Sequence, residues 1–201
     1  MHKKTNIDFF GACALIAFSL LLAINHIVIK VVNMGLNPIF FAGSRSLIAF
    51  FVLLIWMKIS KKPIVFKRKL IFISCLAGLL FALEFLFLFL ALDFTTVSRN
   101  SIIFYSMPVW LSILAHFFVP NERLNITKIF GLICAFTGVT LSLSINFSDF
   151  SLDSGYILGD FFAILAALTW ALLILLTKRT KFNQLTPEMQ LIWMVMVSGP
   201  V

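Results

Sequence analysis

The sequence predicts an all-α integral membrane protein, a multi-pass bundle of helices. Three observations carry this expectation. Hydrophobic residues make up 61% of the 201 residues, charged residues only 12%, and mean hydropathy is +1.07, too little polarity to cover a soluble globule. The apolar residues fall into six stretches of about 20 residues, the length a helix needs to cross the hydrocarbon core, and a seventh begins near Pro187. The basic residues then collect in alternate connections, as the positive-inside rule expects of a threaded chain.

The segments run over residues 9–30, 36–57, 70–92, 97–118, 126–147 and 156–177. The first follows Lys3 and Lys4 and has the polarity of a signal peptide, but its apolar run lasts to Ile29 with no small-residue cleavage site, so it reads as a retained helix. Pro38 opens the second, where proline's missing N–H costs nothing. The fourth has Pro108 in its middle, where a lost backbone hydrogen bond predicts a kink and a hinge. The fifth carries Gly131, Ala135 and Gly138, and the sixth opens with Gly155 and Gly159, small-residue stripes expected to pack helices within the chain or between two copies.

Short connections force neighbouring helices to run antiparallel. Lys3 and Lys4, then Lys58, Lys61, Lys62, Lys67, Arg68 and Lys69, then Arg123 and Lys128, then Lys178, Arg179 and Lys181 occupy one set of connections. Lys30, Arg99, Asp149 and Asp153 belong to the other set, and Arg45 lies inside a helix. This predicts a cytoplasmic N-terminus in a bacterial cytoplasmic (inner) membrane. The abundance of Phe, Ile, Lys and Asn suits an AT-rich bacterial genome.

The net charge of +8 is scattered between apolar stretches and forms no nucleic-acid-binding module. Cys13, Cys75 and Cys134 lie within apolar stretches without metal-ligand spacing and read as small buried hydrophobes. No nucleotide-binding glycine loop, metal cluster or catalytic triad stands out, so neither an enzyme nor a cofactor or metal is expected.

A shift of 148 residues places Gly11 on Gly159, Ile16 on Ile164, Leu20 on Leu168, Ala23 on Ala171 and Lys30 on Lys178. One inserted residue then brings Pro38 onto Pro187. If the sixth segment restarts the pattern of the first, the repeat has five helices, and an odd count inverts the second copy. Residues 9–147 would be one complete repeat and 156–201 the start of its partner, within a ten-helix plan. Inverted repeats characterise many secondary transporters.

Asn25 stands five residues before Lys30, and Arg45 lies in the next segment. Pro108-Val109-Trp110 is followed by Glu122-Arg123-Leu124, Lys128, Gly131 and Gly138, and Trp170-Ala171 by Lys178. In this order the chain, from about residue 9 onward, resembles the EamA-like branch of the drug/metabolite transporter superfamily, built as two inverted five-helix repeats. It departs in having Leu22 where the second repeat has Trp170. The resemblance implies a secondary-active or facilitative permease for a small metabolite, importing or exporting it by alternating access. An amino acid or related compound is the leading substrate, with uptake of a nucleoside-like metabolite such as S-adenosylmethionine as the alternative. A truncated, non-transporting membrane protein is the rival of another class. The expected partners are a small-molecule substrate, the lipid bilayer and a second copy joined through the small-residue faces.

Polar residues within the spans single out a candidate substrate site. A charge at mid-membrane is costly and faces a partner or a water-filled cavity, so Arg45 and Glu84 come first. At about 1.5 Å per residue, Arg45 lies roughly 14 Å and Glu84 roughly 12 Å below the same end of their helices. They are expected either to form a salt bridge that pins two helices or to line a cavity, where Arg45 would attract a carboxylate or phosphate and Glu84 an amine or a proton. Asn25, His26 and Tyr105 complete the candidate set, and Pro108 is the candidate hinge. His116 is expected near the basic end of its helix.

Overall fold

The computed structural model describes residues 9–62, 68–120, 122, 124–143 and 154–199, so Lys3, Lys4, Lys67, Arg123, Asp149, Asp153 and the expected helical residues 144–147 lie outside the described residues. Eight α-helices are described: α1 (Phe9–Asn33), α2 (Pro38–Ile59), α3 (Ile71–Phe94), α4 (Val97–Phe104), α5 (Met107–Phe118), α6 (Ile126–Leu143), α7 (Ser154–Arg179) and α8 (Pro187–Ser198). Single 3-10 turns at Arg68–Leu70 and Lys181–Gln184 lead into α3 and follow α7. α1, α2, α3, the span formed by α4 and α5 together, and α7 are each long and apolar enough to cross a membrane, and α6 contributes a shorter apolar stretch, Ile126–Gly138.

Local chemistry sets the helix ends. The Asn37 side chain accepts a hydrogen bond from the Ile39 N–H (2.9 Å), with Pro38 in the first turn of α2, which satisfies a donor that the helix start leaves unpaired. At the other end of α2, Lys61 adopts φ 52°, the Lys61 N–H bonds the Lys58 carbonyl and the Lys62 N–H bonds the Met57 carbonyl. This is a Schellman ending, with lysine at the left-handed position that glycine usually takes. Thr96 caps α4 by accepting from the Arg99 N–H.

α3 and α7 form the centre of the bundle, with α8 and α2 on one flank and α4 and α5 on the other. The two helices make the most extensive contact in the bundle, and small residues permit it: Ala163, Ala166, Ala167 and Ala171 share a fully buried face of α7, and α3 buries Ala77, Ala82 and Ala91. Apolar burial gives little drive once lipid is the solvent, so close backbone approach supplies the packing. Gly78 extends the same logic to α8: a Cβ there would lie 2.5 Å from the Cβ of Val197. By contrast Gly131, Gly138 and Gly155 face open space, and of the sixth segment's pair only Gly159 is tightly packed, against Thr95.

The free thiols correct the expectation from sequence. Cys13, Cys75 and Cys134 are exposed on the outer surface of the bundle, not buried, as suits apolar side chains that face lipid.

The fourth segment is also corrected. It is two helices, broken at Tyr105 and Ser106, and Pro108 sits in the first turn of α5 and not in mid-helix. Position 108 has no N–H for the Phe104 carbonyl, and the ring disfavours an unbroken helix through it. Ser106 occupies the break, donating to the Ile103 carbonyl (2.6 Å) and accepting from Trp110 Nε1 (3.0 Å).

Polar contacts show which helix ends share a side. Lys62 pairs with Glu188 and Lys178 with Glu122 at the end rich in lysine, hereafter the basic end. There His116 Nδ1 also accepts the Leu124 N–H (3.0 Å), tying α5 to the start of α6. At the opposite end Lys30 donates to the carbonyls of Leu92, Asp93 and Thr95, Asn33 donates to Phe89, and Arg99 pairs with Asp160.

Candidate functional site

A cavity of about 520 Å³ lies between α1, α2, α3, α4, α7 and α8. Each long helix contributes a single face to it. Leu22, Asn25 and His26 recur at helical spacing on α1, Phe81, Glu84, Phe85 and Leu88 on α3, and Trp170, Leu173, Ile174, Thr177 and Lys178 on α7. Arg45 enters from α2, Phe104 from α4 and Met194 from α8. Positions matched by the 148-residue shift therefore meet on one cavity: Leu22 with Trp170, Asn25 with Leu173, His26 with Ile174. Across the inserted residue, Arg45 meets Met194 in the same way.

Arg45 and Glu84 both line the cavity and form no direct ion pair with each other. The Arg45 guanidinium carbon instead lies 4.5 Å from the centroid of the Phe85 ring, held by the cation–π attraction of a ring face. Its Nη1 is buried without a hydrogen-bond partner. Glu84 is 5% exposed on the facing wall. The direct salt bridge that depth alone allowed is thus not formed, and the guanidinium lies against the aromatic ring next to Glu84.

His26 is buried, with Nδ1 3.4 Å from Ser101 Oγ, its ring edge-on to Phe104 and stacked on Tyr105 at 6.1 Å between centroids. Asn25, His26, Arg45 and Glu84 are thus gathered at one cavity. Tyr105 is not on its wall: it stands behind His26 at the break between α4 and α5. Phe104 and Trp170, with centroids 5.0 Å apart, form an aromatic wall beside the polar groups.

Sequence reasoning missed two features. Lys178 was a loop residue by charge, yet its position eight residues after Trp170 puts it on the cavity face at the basic end. Arg99, read as a residue of a connection, is buried in the first turn of α4, where Nε reaches both carboxylate oxygens of Asp160 (2.8 and 2.9 Å) and Nη2 lies 2.6 Å from Oδ2. An acid one to two turns inside a predicted span was the available signal for this pair.

The fold and the family can be placed among known proteins. A solved crystal structure aligns over 92% of this chain and 63% of its own with a TM-score of 0.65 at 18% identity, a likeness of fold alone. The "Uncharacterized transporter YoaV" of Bacillus subtilis (strain 168) is 23% identical over 159 residues, 79% of this chain and 53% of that protein. The chain thus spans about half the length of the curated relative it matches. The profile of the EamA-like transporter family matches residues 9–144. With an all-helical multi-pass fold and a family match over most of its length, the chain belongs to the EamA-like transporter family.

Proposed function

We propose that this chain is part of a metabolite permease that works by alternating access, and that the cavity between α1, α2, α3 and α7 binds the substrate. The carrying observation is the half-buried Arg45 on the cavity wall, whose Nη1 is shielded from solvent and lacks an acceptor. A buried donor left unpaired costs about 1–3 kcal/mol, which a substrate carboxylate relieves. Glu84, on the neighbouring helix, suits an ammonium, and Asn25 supplies neutral hydrogen bonds. Phe85, Phe104 and Trp170 take an apolar or planar remainder.

Separate acidic and basic poles beside an aromatic wall favour an amino acid or a related zwitterion, and the aminocarboxylate end of S-adenosylmethionine offers the same poles. The alternation of basic residues supports a cytoplasmic N-terminus, and with it access from the cytoplasm at the basic end. Cavity positions paired by the 148-residue shift support two inverted repeats arranged about a midplane site.

Counterflow in proteoliposomes tests the reading. Labelled neutral amino acids are expected to accumulate in vesicles preloaded with the same unlabelled compound. Arg45→Gln should lower that accumulation about tenfold, the loss of a charge-assisted hydrogen bond. A correctly inserted chain without counterflow of any zwitterionic compound would sink the proposal.

A further inference from the structure

Three ion pairs between described residues each join the α1–α6 segment to α7 or α8, and they are unequal. At the basic end Lys62 and Glu188 are 3.2 Å apart and Lys178 and Glu122 3.4 Å apart, with both lysine side chains about half exposed, at 48% and 49%. Exposed pairs of this kind contribute little. At the opposite end Arg99 grips Asp160 through Nε and Nη2 at 2.6 to 2.9 Å, and the side chains are only 8% and 22% exposed. Tyr156, one turn before Asp160, places its ring 5.5 Å from the Arg99 guanidinium. It is the most enclosed and the most closely bonded of the three, and a charge-assisted, two-pronged contact shielded from water resists separation more than the two exposed pairs.

The cavity has the same asymmetry. Its wall follows α7 down to Lys178 in the last turn, so it reaches the surface at the basic end. Towards the opposite end it stops at a plug of buried side chains, Ile29, Phe89, Leu92, Phe104 and Ala166. Arg99 lies five residues beyond Phe104 on α4, and Asp160 six residues beyond Ala166 on α7. The ion pair therefore sits roughly 8 to 9 Å past the plug at helical rise, fastening the two helices that flank it.

We infer that Arg99 and Asp160 are the latch of the sealed end: a positioning pair, outside the substrate site, that holds α7 against α4 and parts when the cavity opens to that side. The latch rests on the permease reading, since only a protein that alternates access needs one. A ligand that binds both states equally shifts nothing between them. The latch is the contact present in one state and absent from the other, so its strength sets how often the sealed end opens.

The test reads water access and needs no substrate, so it can fail while counterflow succeeds, and the reverse. In a background with Cys13→Ser, Cys75→Ser and Cys134→Ser, a single reporter, Leu22→Cys, is placed on the cavity wall. The protein is reconstituted in vesicles of known orientation. A membrane-impermeant maleimide is then applied to either side. The parent should label from the basic-end side, with little labelling from the other. Asp160→Asn should raise labelling from the sealed side about tenfold while basic-side labelling, which reports a folded cavity, persists. The swapped pair Arg99→Asp with Asp160→Arg should return labelling towards the parent pattern. If Asp160→Asn does not fold, Arg99→Lys, which keeps the charge but not the two-pronged grip, should give a smaller rise. Unchanged sidedness in a folded Asp160→Asn or Arg99→Lys variant overturns the latch, as does a swapped pair that labels like Asp160→Asn.

Discussion

The ammonium of Lys30 lies 2.6 Å from the backbone carbonyl oxygen of Leu92, so a side chain from the end of α1 finishes α3. The same Nζ donates to the carbonyls of Asp93 and Thr95. The last carbonyls of a helix have no partner within it and carry the negative end of its dipole. A lysine cation answers both needs at once, where lipid-facing surroundings offer little water to do so.

Lys30→Met should therefore lower stability by about 1–2 kcal/mol, the usual worth of a cation at a partly buried helix C-terminus. Lys30→Arg, which keeps charge and donors, should recover more than half of it. Unfolding in detergent, followed by helical circular dichroism across a denaturant series, reads the difference. Equal stability of Lys30→Met and the parent would show that water or detergent replaces the cap.

Arg45 and Glu84 make a different prediction because they share a cavity without forming an ion pair. Exchanging them, as Arg45→Glu with Glu84→Arg, should leave counterflow as low as in either single reversal. Each charge would then face the wrong pole of the proposed zwitterion, and Phe85 would lose the cation over its ring. Full recovery in the double variant would mean that the two act as a structural pair.

These residues also show what the sequence could reveal. The depths of Arg45 and Glu84 needed only the helical rise, and equal depth left a pinning salt bridge and a shared cavity both open. What the guanidinium touches did not follow, because the choice between Glu84 and Phe85 turns on side-chain direction across two helices. Lys30 was visible as a base at the end of α1, but its partners are backbone carbonyls, which leave no mark in the sequence. The packing of α3 on α7 was legible in principle, since Ala163, Ala166, Ala167 and Ala171 fall on one face. Glycine spacing drew attention to the start of α7, where only Gly159 is tightly packed, and to α6, where Gly131 and Gly138 face open space.

That contrast between glycines can be measured. A Cβ at Gly159 would lie 2.7 Å from the Thr95 Cβ and 3.0 Å from the Thr95 backbone nitrogen. Backbone cannot swing aside as a flexible side chain can, so Gly159→Ala should destabilise by about 1–3 kcal/mol, the range for overpacking. Gly138→Ala meets nothing within 4 Å and should stabilise its helix by about 0.5–1 kcal/mol through propensity. Thermal melts of the two purified variants should move in opposite directions. A fall for Gly138→Ala would point to a second copy packed closely on α6.

Pro108 separates two roles that sequence alone merges. As a helix former in the first turn of α5 it is well placed, yet it also keeps α4 and α5 from joining, with Ser106 filling the gap through Ile103 and Trp110. Pro108→Ala restores an N–H that can reach the Phe104 carbonyl and removes the ring that disfavours a continuous helix. If the break is only a matter of shape, counterflow should survive with stability unchanged or slightly raised. If it is the hinge on which α4 turns, the variant should keep its thermal stability while counterflow falls several-fold, because stiffening a hinge changes the rate of opening and not the fold. Ser106→Ala supplies the opposite perturbation: it loosens the break without joining the helices. The hinge predicts that it retains most of the counterflow that Pro108→Ala loses.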